Sequence, residues 1–361
     1  MKIIYYLANE TNIGDNATAY AIARKLNENI EQTCEIEKIS AAELRELEVD
    51  TTRENNIVIG AGVHNLQTLA YSSLKTVWSC HQLPMGYFTE INNIDIVAIP
   101  EYAISTEVES NITTKLIKTH GVAHSRELSS LVSDFNQSDI PRKERYRLIV
   151  LGGDAPDISG KINYFSKSSV QALANYLKEY QDNDEFTLIT NCHRTGKHDQ
   201  ETGEIIDNHQ KDSELDAITT EFIKSLSQVN EDYLVYDFKH NCKNYYTELL
   251  GAVANSDSII YIPGESTSMI SEALSVIPAE KIYIYDTDSM SEAHHKHVKY
   301  TADKFPIFHL KLSEAKDLYT RCHTCNSTTD KYDYNASKHI ALASKDILEF
   351  ENEKITPSIR P

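Results

Sequence analysis

Long apolar runs are missing from this 361-residue sequence. None approaches the roughly 20 residues that a membrane-spanning helix needs. The opening Met1-Lys-Ile-Ile-Tyr-Tyr-Leu-Ala8 is too short and too soon polar for a secretory leader. A cytoplasmic protein with no transmembrane segment is therefore expected. An excess of basic residues is missing as well. Against 35 lysines and arginines stand 54 acidic residues, a formal net charge of −19, which opposes nonspecific binding to nucleic acid or to an anionic membrane surface. Nucleic acid is accordingly not an expected partner, and solubility is the plain account of the acidic excess. The six cysteines lack any disulfide-framework spacing, which suits a reducing compartment. Only Cys322-His-Thr-Cys325 forms a CxxC. Without a second pair it is a weak basis for zinc or thiol exchange, even with His323 and His309 available, and no metal is expected.

What the chain does have is alternation. Short apolar runs such as Lys2–Leu7, Asn56–Gly62, Lys75–Ser79 and Ile94–Pro100 read as strands, and amphipathic stretches between them read as helices. The polar run Gln137-Ser-Asp-Ile-Pro-Arg-Lys-Glu-Arg145 reads as a linker. A second alternating series then starts at Arg147-Leu-Ile-Val-Leu-Gly-Gly153 and closes at Ile282-Tyr-Ile-Tyr285. The fold class is α/β: two doubly wound Rossmann-like domains facing a cleft, with a C-terminal helix. The expected boundaries are 1–140, 141–330 and 331–361, the last holding a helix over Ala336–Phe350.

Ligands of parallel sheets collect at the carboxyl ends of the strands. In the first domain that rule selects Gly14, Asp15 and Asn16, then His81 and Glu101. Helix capping alone explains Asp15 and Asn16, and a backbone hydrogen bond at a strand end explains His81. In the second domain it selects Gly152 and Gly153, Asn191 and Arg194, and the stretch Ser258-Ile-Ile-Tyr-Ile-Pro-Gly-Glu-Ser-Thr-Ser-Met-Ile-Ser-Glu-Ala273. There a short apolar strand is broken by Pro263, Gly264 and Glu265, and Ser266, Thr267 and Ser268 offer N-caps for a helix carrying Met269 and Glu272. Such a helix start presents unpaired N–H groups and the positive end of the helix dipole, so it can hold a phosphate without a basic side chain. A carboxylate one to two turns further on, Glu272, can accept hydrogen bonds from a vicinal diol such as a ribose.

Several segments line up in order: Pro100-Glu101, Asn111-Ile-Thr-Thr114, Gly121-Val-Ala-His124, Leu151-Gly-Gly153, Ile189-Thr-Asn-Cys-His-Arg-Thr195 and Gly264-Glu-Ser-Thr-Ser-Met-Ile-Ser-Glu-Ala273. In content and order they resemble the "elongated mitochondria" fission-protein family, which includes bacterial proteins and looks like the two-domain GT-B glycosyltransferase architecture. The Gly264–Glu272 run is also similar to the donor-binding turn of bacterial transferases that pass N-acetylglucosamine from a uridine diphosphate carrier. That resemblance implies that Ser266, Thr267 and Ser268 line the diphosphate, with Gly152, Gly153 and Arg194 approaching from neighbouring loops, and that Asn191, Gly264, Glu265 and Met269 belong to the same donor-binding set. It implies that Glu272 takes the ribose.

The function expected is a metal-independent glycosyltransferase that binds a nucleoside-diphosphate sugar and passes the sugar to an unknown acceptor. Its only small-molecule requirement is that sugar nucleotide as substrate, with no separate cofactor. A paired-aspartate DxD at a strand end is lacking, since Asp154-Ala-Pro-Asp157 has the wrong spacing. Asp15 and His81 are the candidate catalytic bases, and Gly14, Asn16 and Glu101 belong to the acceptor side. The alternative is a noncatalytic nucleotide- or protein-binding module on the same scaffold.

Overall fold

A computed structural model of the chain describes residues 3–8, 13–30, 34–47, 56–83, 86–157, 160–179, 184–206, 209–227, 232–312, 319–321 and 335–350. The chain divides into two compact units, Met1–Ser125 together with Tyr332–Pro361, and Arg126–Lys331.

In unit 1 the order is β1 (Ile3–Leu7), α1 (Ile13–Asn29), β2 (Glu35–Ile39), α2 (Ala41–Leu47), β3 (Asn56–Ala61), α3 (Val63–Ala70), β4 (Lys75–Ser79), α4 (Phe88–Asn92), β5 (Ile96–Pro100), α5 (Thr106–Asn111) and β6 (Lys115–Thr119). All six strands run parallel in the order β2-β1-β3-β4-β5-β6. Strands β3, β4 and β5 are buried at every position, which is why they read as continuous rather than alternating apolar runs. The period of two sends Ile57 and Ile59 to one face, where α1 covers them with Ala19, Ile22, Ala23 and Leu26. Val58 and the fully buried Trp78 point the other way, against Leu44, Leu66 and Leu69.

Unit 2 continues with α6 (Leu128–Asn136), β7 (Tyr146–Val150), the short antiparallel pair β8 (Ala155–Pro156) and β9 (Ile162–Asn163), α7 (Lys167–Glu179), β10 (Phe186–Thr190), α8 (Ala217–Leu226) and β11 (Tyr233–Tyr236). Then come α9 (Tyr246–Ala254), β12 (Ile259–Pro263), α10 (Thr267–Val276), β13 (Ile282–Tyr285), α11 (Glu292–Lys304), β14 (Phe308–Leu310) and β15 (Tyr319–Arg321). The sheet order is β11-β10-β7-β12-β13-β14-β15, parallel except for β15, which runs antiparallel to β14. Helices α7 and α8 cover Ile149, Ile189 and Tyr261 on one face, while α9 packs on β7 and is crossed by α6. That crossing is close enough for a Cβ placed on Gly251 to overlap the Leu131 carbonyl oxygen.

Two expectations need correcting. The series does not close at Tyr285, because β14 and β15 extend the sheet. Phe308 stacks on Tyr283 with ring centroids 4.4 Å apart, and Tyr283 lies 4.8 Å from Tyr261, so an aromatic ladder runs across three strands. Nor does the stretch 137–145 behave as a linker. Arg142 donates to the carbonyls of Phe135, Asn136, Ser138 and Ile140, and its guanidinium lies 4.0 Å from the Phe135 ring centroid. Charge and proline gave this stretch a linker composition, yet one of those charges ties it down. The two compact units divide at Ser125/Arg126, ahead of α6.

The last helix, α12 (Ala336–Phe350), belongs to unit 1, where it packs on α1 with Ala336, Ile340, Ala341 and Ala343 in the core. Buried Ser337 Oγ accepts the His124 N–H at 2.9 Å and donates to the His124 carbonyl at 2.7 Å. Ser337→Ala removes both bonds from buried backbone groups. The expected cost is about 2 kcal/mol, read as a lowered urea midpoint; an unchanged midpoint would show that the pair contributes nothing.

Candidate functional site

Each sheet has one place where the strand order reverses. In unit 1 it lies between β1 and β3, and in unit 2 between β7 and β12. Ligands of open α/β sheets bind outside the carboxyl ends of the strands at such points.

At the switch point of unit 2, the loop after β7 carries Gly152 and Gly153 and the loop after β12 carries Gly264 and Glu265. Glu265 joins the two loops. Its Oε1 accepts the Gly153 N–H at 2.8 Å and its Oε2 accepts the Thr287 hydroxyl at 2.9 Å. The side chain is 2 % exposed, and burial raises its carboxyl above the ordinary value, partly offset by Arg194 and by these hydrogen bonds. Glu265 is therefore a strut under the turn, and both carboxylate oxygens face protein donors. Gly152 has to be glycine for the same reason: a Cβ there would lie 2.5 Å from Glu265 Oε1. Its N–H is held by the Tyr285 hydroxyl at 3.1 Å, its carbonyl by the Thr195 hydroxyl at 2.7 Å. On Gly153 a Cβ would lie 2.7 Å from the Arg194 carbonyl carbon, and that closeness brings the loop bearing Arg194 alongside, with Asp154 N–H donating to Arg194 O at 3.0 Å.

Helix α10 begins directly beyond this strut. Ser266 occupies the N-cap, is buried, and makes no side-chain hydrogen bond to the helix. Thr267 and Met269 are half-buried and Ser268 is exposed. The first turn of α10 thus presents hydroxyls and main-chain N–H groups beside Gly152 and Gly153. Glu272 sits on the second turn, 15 % exposed, with Oε2 accepting from Arg126 Nε at 3.1 Å. Burial raises its carboxyl and the Arg126 charge opposes that rise.

Asn191 is placed differently from the expectation. Its side-chain N–H groups face Asp216, Thr219 and Asp237 at 3.0, 3.0 and 2.7 Å, and its oxygen accepts the Phe238 N–H. Buried and engaged at both ends, it organises the loop after β10. Arg194, three residues on, is half-buried.

In unit 1 the switch point brings Asp15, in the first turn of α1, onto Gly62, which caps α3. Asp15 is 8 % exposed, and a Cβ on Gly62 would overlap its carboxylate. Gly62 has φ +74°, and its carbonyl accepts the Trp78 indole N–H at 2.8 Å. Asp15 is thus packed into the fold, and its charge is a minor contributor, behind burial, to pushing the Cys80 thiol up to about 12. Gly14 and His81 are exposed, Asn16 and Glu101 half-buried. Cys322, His323 and Cys325 lie outside the described residues. His309 faces Asp286 at 2.7 Å.

No family model and no curated protein matches the chain. Among solved structures it is similar to MurG of Acinetobacter baumannii, at 11 % identity over 98 % of this chain and 100 % of that one, with a TM-score of 0.45. It is also similar to the UDP-forming α,α-trehalose-phosphate synthase of Burkholderia vietnamiensis, at 9 % identity over 98 % and 100 % with a TM-score of 0.48. A third is an O-GlcNAc transferase of Thermobaculum terrenum, at 12 % identity over 99 % and 64 % with a TM-score of 0.39. Likenesses of this size decide neither reaction nor ligand. The fold class stands on the strand order and registers: two Rossmann-like units in one chain, the make-up expected of a GT-B-like protein.

Sequence reasoning gave no role of their own to Thr195, Thr287, Tyr285 and Arg126. The first three hold the glycine loop and its strut, and Arg126 holds Glu272. Nothing local marks them, because each meets its partner only through the sheet order.

Proposed function

We propose that the switch point of unit 2 binds a nucleoside-diphosphate sugar and that the protein transfers the sugar to an acceptor. The observation that carries this reading is the start of α10, a helix of ten residues. It opens at the carboxyl end of β12 with no side-chain cap bond from Ser266, beside two glycines whose backbone is held open by Glu265, Tyr285 and Thr195. Main-chain N–H groups and the helix dipole at such a start stabilise the two phosphates, and they stabilise the leaving diphosphate more as its charge develops. Thr267 and Ser268 add hydroxyl donors, and Arg194 a charge from the adjoining loop. Glu272 lies one to two turns on, where a ribose attached to the diphosphate would present its hydroxyls. The resemblance to the fission family and to the N-acetylglucosaminyl transferases agrees with this assignment and suggests uridine as the first base to try.

A noncatalytic nucleotide-binding module is the second reading. The burial of Asp15 against Gly62 favours it, because a general base must reach the acceptor hydroxyl. His81, being exposed, is the candidate base that remains accessible.

Calorimetric titration with uridine, guanosine and adenosine diphosphates tests the site. Glu272→Ala is expected to weaken the bound nucleotide at least about tenfold through loss of a charged acceptor. If none of the three binds, or the substitution leaves affinity unchanged, the site is misassigned. Sugar-donor hydrolysis then separates the two readings: a slow release that disappears in His81→Ala supports transfer, and its absence across common donors supports the binding module.

A further inference from the structure

The segment just ahead of α6 contributes a side chain to the proposed nucleotide site. Arg126 donates from Nε to Glu272 Oε2 at 3.1 Å and from Nη1 to Thr247 Oγ1 at 2.9 Å. Thr247 lies in the first turn of α9. Its neighbour Tyr246 is 6 % exposed, with its ring centroid 5.9 Å from the Arg126 guanidinium carbon and its buried hydroxyl without a hydrogen-bond partner among the described residues. Glu272 is thus enclosed by an arginine and a tyrosine from two other segments, and it is the only titratable residue on α10.

Such a carboxylate faces conflicting demands. Enclosure favours its protonated form, whereas accepting hydrogen bonds from two sugar hydroxyls requires the ionised, acceptor-only form. Resting on the reading of the α10 turn as a nucleotide site, we infer that Arg126 is a positioning residue for Glu272. Its guanidinium fixes one carboxylate oxygen and keeps the group ionised to receive the ribose of a nucleoside diphosphate. The second anchor, from Nη1 to Thr247, matters because it holds the guanidinium in place while Nε donates to Glu272 Oε2. The remaining oxygen of Glu272 is left for the ligand. Tyr246, whose hydroxyl burial holds far above its ordinary range, stays protonated and adds no charge. Among the described residues, Arg126 is the one charge facing Glu272 from the packed elements.

Uridine diphosphate is the probe, titrated between pH 6 and 9 against the unaltered protein, Arg126→Gln, Arg126→Lys, Glu272→Ala and the double variant Arg126→Gln/Glu272→Ala. Each affinity is taken as a ratio to the unaltered protein at the same pH, which cancels the titration of the phosphate itself. Arg126→Gln is expected to bind about tenfold more weakly at pH 6.5 and to recover to within about threefold at pH 8.5, since removal of the charge lets Glu272 keep its proton to higher pH. Arg126→Lys restores a charge and is expected to show a flat ratio. In the Glu272→Ala background the Arg126→Gln change is expected to do nothing further. A loss that is equal at every pH, or no loss while Glu272→Ala still weakens binding, overturns the role of Arg126 and leaves the site standing. No binding by the unaltered protein overturns the site, and with it the inference.

Discussion

Gly251→Ala is expected to lower the melting temperature of unit 2 by about 4–8 °C. Alanine is favoured over glycine inside a helix by about 1 kcal/mol, so in an open setting the change would stabilise α9. Here the added methyl would overlap the Leu131 carbonyl oxygen and come within 3.1 Å of Phe135 Cβ. The carbonyl belongs to the backbone of α6 and cannot rotate aside as a side chain would. Overpacking of this kind costs typically 1–3 kcal/mol and sometimes more. With the crossing forced apart, a cost at the upper end of that range less the helix gain leaves a net loss of about 2 kcal/mol. For a unit of this size each kcal/mol moves the midpoint by about 2–4 °C. Differential scanning calorimetry gives the answer directly, and a midpoint that stays or rises would mean that α6 and α9 do not cross so closely.

The second large effect is at Glu265. Glu265→Ala takes the acceptor from the buried Gly153 N–H and leaves a cavity. Thr287 is less affected, because its hydroxyl also lies 3.0 Å from Ser289 Oγ. A loss of about 3 kcal/mol is expected, together with weaker nucleotide binding as the glycine loop loses its strut. Glu265→Gln behaves differently. Its amide oxygen can accept from Gly153 while its N–H donates to Thr287, whose proton then turns to Ser289, so the cost stays within about 1 kcal/mol. The pair of variants also predicts a pH effect. Burial raises the folded-state value of the Glu265 carboxyl above that of the unfolded chain. Below the ordinary carboxylate value both states hold the proton. Between that value and the higher folded one only the native state does, so stability falls as pH rises across this window and then levels off. Relative to Glu265→Gln, the wild-type urea midpoint should decline with pH from the ordinary carboxylate range upward. Parallel profiles would show that Glu265 does not titrate differently in the two states.

The alternation of short apolar runs with amphipathic stretches was enough to read two parallel sheets, because strands buried on both faces, such as Ile57–Ile59 and Leu148–Val150, leave little room for other interpretations. Helix α11 was illegible for the opposite reason. Its buried positions are His297, Val298 and Thr301, so two of the three inward residues are polar types that carry no apolar period. Strand β14 has three residues and is fixed by the stacking of Phe308 on a neighbour from another strand. At the site, the break-and-cap pattern from Pro263 to Ser268 marked the α10 turn from local sequence alone. Its supports could not be read, since Tyr285 meets Gly152 across 133 positions and Arg126 meets Glu272 across 146. Glu265 and Asn191 were legible as residues of the loops at the carboxyl ends of β12 and β10, but not as interior struts, because a carboxylate or amide at a turn looks the same in sequence whether it faces a ligand or the backbone beneath.

The return of α12 to unit 1 has a consequence for how the chain is made. Unit 2 is continuous in sequence, so every partner it needs has left the ribosome once residue 331 is clear. Unit 1 has to wait. Its six strands and α1 are synthesised early, yet the face of α1 that α12 covers stays bare until that helix emerges. The half of the protein translated first is therefore the half completed last, and a nascent chain halted after residue 331 has cleared the ribosome, but before α12 has done so, holds a finished unit 2 and an α1 whose apolar stripe is still bare.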